Sequence, residues 1–186
     1  MLACATGLTY YPQFGATKTC IKVYQIVKNA EEISFVFYHK TDIENPALAL
    51  HGWDSKVLAG VGKCLRAYEI GKKKMLRKAE TKTLNSPVNT IKTIHRRVFV
   101  TEVMDSFHMF KYSSKEQTFY DIADDILPRF VTTSCLLDDH TVIGADKFEN
   151  IFVSRVPRSI FFVIQTPKKT LIITRTITDI NGSTDT

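Results

Sequence analysis

The chain has little of the material from which most catalytic and metal sites are built. Its 186 residues include four cysteines, one tryptophan, eight glycines and six prolines. Cys4, Cys20, Cys64 and Cys135 stand far apart with no paired spacing, so neither a zinc site nor a disulfide framework is expected. That usage fits a reducing intracellular compartment. No apolar run approaches the roughly 20 residues a membrane helix needs, and Met1 to Thr9 lacks the basic start of a signal peptide, so a soluble, non-secreted protein without membrane contact is predicted. His39, His51, His95, His108 and His140 are scattered, with no His-Glu-x-x-His spacing to support metal catalysis. No Gly-x-Ser-x-Gly elbow is present, and Gly60-Val61-Gly62-Lys63 lacks the earlier glycine and the following Ser or Thr of a phosphate loop. The expectation is therefore no catalytic residue, metal ligand, cofactor or small-molecule substrate.

What is present is enough apolar material for one domain, with 44% hydrophobic and 11% aromatic residues. The formal charge is +6 and the isoelectric point about 9.1, which favours an acidic partner or nucleic acid without requiring either.

The organising feature is a repeat. Four segments share the order apolar, any, apolar, mostly aromatic, polar, apolar: Ile21 to Ile26, Leu65 to Ile70, Phe107 to Tyr112 and Ile151 to Val156. Their starts are 44, 42 and 44 residues apart. An even period of roughly 40 to 45 with strand-like content is the mark of propeller blades. Each later segment follows a feeder strand, at Val57 to Val61, Val98 to Glu102 and Val142 to Ala145. The fold class predicted is all-β, a partial β-propeller of about three to four blades of four-stranded antiparallel sheet, with a sandwich or barrel as the competing arrangement. Residues 20–157 hold the blades, 1–19 are an unassigned N-terminal segment, and 158–186 are a divergent tail with strand-forming stretches at Ile160 to Gln165 and Thr170 to Ile177 and a frayed end. Gly62-Lys63 suits a type II′ hairpin turn. Apolar residues on both faces of a strand, as at Phe107, Met109, Phe110 and Tyr112, suit sheets covered on both sides.

Two kinds of charged cluster remain. Asp124-Asp125 and Asp138-Asp139 have the chemistry to hold a cation or to act as acid and base. Paired aspartates at turns more commonly bond to nearby backbone. Lys72, Lys73 and Lys74, with Arg77 and Lys78, form the densest run of positive charge. They are candidates for contact with nucleic acid or an acidic partner, and the competing reading is a solvated hairpin tip.

The segment Gly60 to Glu80, with Ala123-Asp124-Asp125, Pro128 to Thr133, Gly144 to Phe148 and Asn150-Ile151, resembles the family of large multi-propeller subunits that includes the cleavage and polyadenylation specificity factor A subunit and the large damaged-DNA-binding subunit. Within it the likeness is strongest to the splicing factor 3b branch, and covers about Ile21 to Pro157. After Pro157 that family continues through a polar, acidic loop where this chain has Arg158 to Ile164. The resemblance implies a piece of the last propeller of a non-enzymatic nuclear scaffold in the U2 small nuclear ribonucleoprotein. Its implied partners are other splicing factor 3b subunits, namely the helical-repeat subunit that recognises the intron branch site and the small subunits, with RNA as a further contact. The alternative is a direct nucleic-acid-binding propeller of the same family, in damaged-DNA recognition or mRNA 3′-end processing.

Overall fold

Successive side chains of a strand point to opposite faces, and here successive residues are divided between two interfaces. On β5 (Lys56–Val61), Val57, Ala59 and Val61 enter one core cluster while Leu58 enters another. On β10 (Phe107–Ser113), Phe107 and Met109 enter one cluster and Phe110 and Tyr112 another. The second and third sheets are thus buried on both sides by their neighbours, which is why their strands read as continuous apolar runs.

The computed structural model describes residues 1–9, 16–29, 32–125, 127–156, 170–171 and 173–177. The described residues form four sheets and no helix. The first holds β1 (Leu2–Thr9), β2 (Ala16–Lys28) and β3 (Ile33–Ile43). The second is β4 (Ala47–Trp53), β5, β6 (Cys64–Ile70) and β7 (Met75–Glu80), antiparallel in chain order. The third is β8 (Val88–Ile94), β9 (Arg97–Glu102), β10 and β11 (Thr118–Asp124), to which β15 (Thr170–Leu171) adds in parallel. The fourth is β12 (Val131–Leu136), β13 (Thr141–Asp146) and β14 (Ile151–Arg155), with β16 (Ile173–Ile177) as its fourth strand. The chain is an all-β partial propeller, as the repeat predicts.

The four repeat segments lie on β2, β6, β10 and β14, the corresponding strand of each sheet. The first sheet takes a strand from the N-terminal segment that the sequence leaves unassigned: Leu2–Thr9 pairs along β2, with Leu2 opposite Tyr24 and Thr6 opposite Cys20. Residues 10–15 of the unassigned segment and the stretch Ile160 to Gln165 lie outside the described residues, as does the chain end from 178. Strands do form at Thr170–Leu171 and Ile173–Ile177.

The repeat is also visible in the bonds between sheets. Trp53 donates to the His95 carbonyl at 2.8 Å, His51 meets Thr93 at 2.8 Å, Asn89 donates to the Val131 carbonyl at 2.8 Å and Arg97 to the Asp139 carbonyl at 2.7 Å. Each of these bonds joins residues 42 apart, so it connects one position of a blade to the equivalent position of the next. Pro46, Pro87 and Pro128 recur every 41 residues ahead of β4, β8 and β12. The first two place their carbonyls to accept from Gly62 and Val103, each at 2.9 Å. β4 contacts β8 and β8 contacts β12, so the first strands of successive blades converge on one side. Gly62 has φ +55°, as the first central position of a type II′ turn requires, and a Cβ there would stand 2.9 Å from Asn45.

Candidate interaction surface

The β6–β7 hairpin carries the cationic run. Its strands pair in register from Ile70 opposite Met75 to Tyr68 opposite Arg77, and then slip by one residue at Lys78 before Ala67 meets Ala79. That bulge separates the two cations that follow the turn. Lys78 bonds to Glu69 at 2.9 Å and Arg77 to Glu80 at 2.9 Å. The Lys78 hydrogen bond and charge hold the Glu69 carboxyl below its usual range. Lys72, Lys73 and Lys74 are exposed in the turn, with no ion pair recorded to any of them among the described residues.

The structure brings Lys74 and Arg77 together with residues from the first blade. An open groove of about 490 Å³ runs between β3 and β7, lined by Lys40, Thr41 and Asp42 on one side, by Lys74, Leu76 and Arg77 on the other, and by Arg66 and Tyr68 at its base. Two bonds hold the walls in place: the Met75 N–H donates to the Thr41 hydroxyl at 2.8 Å, and His39 meets the Gly71 carbonyl at 2.9 Å. Arg66 is buried and reaches Glu44 at 2.6 Å and Glu80 at 2.8 Å. Burial disfavours its charge, but the hydrogen bonds it donates to Glu44, Glu80 and Tyr68 more than offset this and keep it a cation. Glu44 is held below the usual carboxylate range by Arg66, and burial raises the Tyr68 phenol. The base of the groove is therefore a satisfied network; at its rim Lys40 pairs with Asp42 at 3.6 Å and Arg77 with Glu80, and Lys74 is exposed.

Lys40 and Arg66 were not among the candidates from sequence. A signal for Lys40 existed, since the repeat makes β3 and β7 equivalent strands of adjacent blades, and equivalent strands stand side by side. Lys72 and Lys73 stay at the hairpin tip, and Lys78 is tied to Glu69.

The remaining polar clusters serve the fold. Asp138 accepts from the His140 N–H at 2.7 Å and the Thr141 hydroxyl at 3.0 Å, and these bonds hold its carboxyl below the usual range. Asp125 accepts from Ser106 at 3.0 Å, the Leu127 N–H at 3.1 Å and Arg129 at 2.8 Å. Both aspartates bond as turn residues do. Buried Glu102 pairs with His108 at 2.6 Å and accepts the Ser86 N–H. Burial alone would lower the His108 value; the Glu102 hydrogen bond and charge, with Asp121 and Asp124, raise it above the ordinary 6.5. Among the described residues no group of three or more His, Cys, Asp or Glu side chains is placed to hold a metal ion.

The blade period, the cross-blade bonds and the rim of cations on a hairpin tip are the features to set beside known proteins. The family model described as the CPSF A subunit region matches residues 1–161. The chain belongs to the CPSF A subunit region family. The match takes in β1, ahead of the Ile21 at which the likeness is first legible in the residues. Among relatives of this CPSF A region chain are the probable splicing factor 3B subunit 3 of Dictyostelium discoideum, 37% identical over 157 residues, and the splicing factor 3B subunit 3 of Danio rerio, 44% identical over 137 residues. These alignments cover 84% and 74% of the chain. Spliceosome-associated protein 130 A of Arabidopsis thaliana is 36% identical over 154 residues, 83% of the chain. The alignments span 11–12% of the length of these relatives.

Proposed function

We propose that the chain is a propeller segment of a non-enzymatic scaffold subunit of splicing factor 3b, acting in pre-mRNA splicing in the nucleus. In this reading it supports the helical-repeat and small subunits of the U2 small nuclear ribonucleoprotein that engage the branch site. The observation that carries it is 37–44% identity to splicing factor 3B subunit 3 proteins across the blades. The physical basis is rigidity: three core clusters join the four sheets, and a rigid face-to-face array presents loops and strand edges at fixed spacing. Lys72, Lys73, Lys74 and Arg77 are assigned as the contact for an acidic partner, with Lys78 supporting the hairpin through Glu69.

The test is affinity capture of the tagged chain from nuclear extract, followed by mass spectrometry. Enrichment of the other splicing factor 3b subunits is expected. Recovery of only cullin-ligase or polyadenylation components would reject the assignment in favour of a different branch of the family.

A further inference from the structure

Charge is divided unevenly between the two ends of the sheets. The antiparallel order puts the turns at 54–55, 71–74, 95–96 and 114–117, from the second and third blades, at one end. Contacts between the blades and within them hold these turns together: Trp53 donates to the His95 carbonyl, the Tyr112 N–H donates to the Arg96 carbonyl at 3.0 Å, and Lys56 Nζ lies 5.9 Å from the centre of the Tyr112 ring. At the opposite end β7, β9, β11 and β13 each finish on a carboxylate, at Glu80, Glu102, Asp124 and Asp146.

The end that carries the four turns is the cationic one. Lys72, Lys73, Lys74, Arg96 and Lys115 are exposed there, with half-buried Lys56 at the foot of β5, against Asp54 and Glu116. Among the described residues none of these six cations forms a salt bridge. Nearby Glu69 is bonded to Lys78, and His95 lies 3.7 Å from Asp139 of the fourth blade. Each of the two blades stands between two others, so this exposure is not that of a terminal sheet face.

The composition of the end selects the ligand. Its four turns contain only Asp, Ser, Gly, Lys, His, Arg, Glu and Gln. A protein–protein interface is depleted of charge at its core and built on apolar and aromatic anchors, which these turns lack. A phosphate backbone needs cations and no such anchors. Rings for bases stand among the cations: Trp53 is half-buried, its plane fixed by the bond to His95 and by the edge contact with Tyr112, and the His95 side chain is 80% exposed. Cations interleaved with rings hold single strands without reading their sequence.

We propose that the turns at 54–55, 71–74, 95–96 and 114–117 form a binding surface for single-stranded RNA, with Lys72, Lys73, Lys74, Arg96 and Lys115 on its phosphates and Trp53 against a base. The carboxylates at the far ends of the strands repel the same polyanion, so the field of the array directs it to one end. The inference rests on the reading of the lysine run as the contact for an acidic partner, and names that partner's chemistry.

The experiment titrates the full chain into a short fluorescein-labelled uridine oligonucleotide. Anisotropy is expected to rise saturably, and the emission of Trp53, the single tryptophan, to be quenched. Log affinity should fall with log salt at a slope of about −3.5, the value for five phosphate contacts on a single strand. Arg96→Gln with Lys115→Gln should reduce that slope by about 1.4, and Lys72→Glu with Lys73→Glu and Lys74→Glu should weaken binding about tenfold or more. Lys63→Gln with Lys82→Gln, at the opposite end, is the control and should leave affinity unchanged. All seven side chains are exposed, and circular dichroism checks that the variants keep their strands. Absent binding, a slope near zero, or a loss in the control as large as in the turn variants overturns the proposal. Binding that leaves Trp53 unquenched overturns the base contact. An oligoglutamate peptide that displaces the RNA at equal charge concentration reassigns the surface to an acidic polypeptide and overturns it as well. Capture of splicing factor 3b subunits from nuclease-treated nuclear extract with no RNA binding rejects this surface and leaves the scaffold reading standing. RNA binding without such capture does the reverse.

Discussion

Gly144→Ala tests the packing of the array at its tightest point. Gly144 lies on β13 directly over the Phe107–Phe152 ring pair, whose centroids are 5.3 Å apart. A Cβ at this position would stand 2.6 Å from Phe152 Cζ and 2.7 Å from Phe107 Cζ, where ordinary contact begins at 3.4 Å. Both rings are fully buried, and the Phe152 face is covered by the Arg129 guanidinium at 4.7 Å, itself bonded to Asp125. Neither ring can yield the missing distance without moving its neighbours, so overpacking of about 1–3 kcal/mol is expected. At this chain length that is a fall in melting temperature of roughly 2–4 °C for each kcal/mol. Gly52→Ala is the control, because nothing lies within 4 Å of a Cβ there. It should raise stability by about 0.4–1 kcal/mol through the lost freedom of the unfolded chain. Urea unfolding followed by the single tryptophan reads both: Trp53 packs on Tyr112 across the second and third blades, with ring centroids 5.2 Å apart. Equal midpoints for the two alanine variants would refute the packing argument.

Leu65→Ala removes a fully buried side chain shared between the second and third blades and should cost about 2–5 kcal/mol in urea unfolding; a loss under about 1 kcal/mol would place that residue outside the core. The Glu102–His108 pair predicts a pH dependence with a definite sign. Because the folded His108 value is raised, its stabilisation is complete below the ordinary 6.5 and is lost as pH rises through the folded value. Urea midpoints should therefore fall with rising pH across that window. Glu102→Gln removes the charge that raises the value and leaves a buried imidazole, so the slope should reverse; an unchanged slope would show that the pair does not govern the titration.

The strand array was legible because its signal is local and repeated. Ile21, Leu65, Phe107 and Ile151 recur at nearly one period, and each falls on the same strand of its sheet. Prolines 46, 87 and 128 carry the same period. The cationic run was legible only as composition: five positive residues in sequence gave no sign that Lys78 would be bulged toward Glu69, or that Arg77 would bond to Glu80. A bulge shifts alternation by one residue, and its position depends on how two strands pair, which a linear pattern does not contain.

Sequence alone determined that this chain forms strands, that they come in modules of about 42–44 residues, and that both faces of each module are apolar. Those properties belong to neighbours in the chain, and the period carries them from blade to blade. The tertiary structure decided which residues meet: Thr41 of the first blade with Met75 of the second, His39 with the Gly71 carbonyl, and Arg66 with both Glu44 and Glu80. These groupings depend on the stacking of sheets. They are set by the balance of packing and exposure across the whole array, which no single segment encodes.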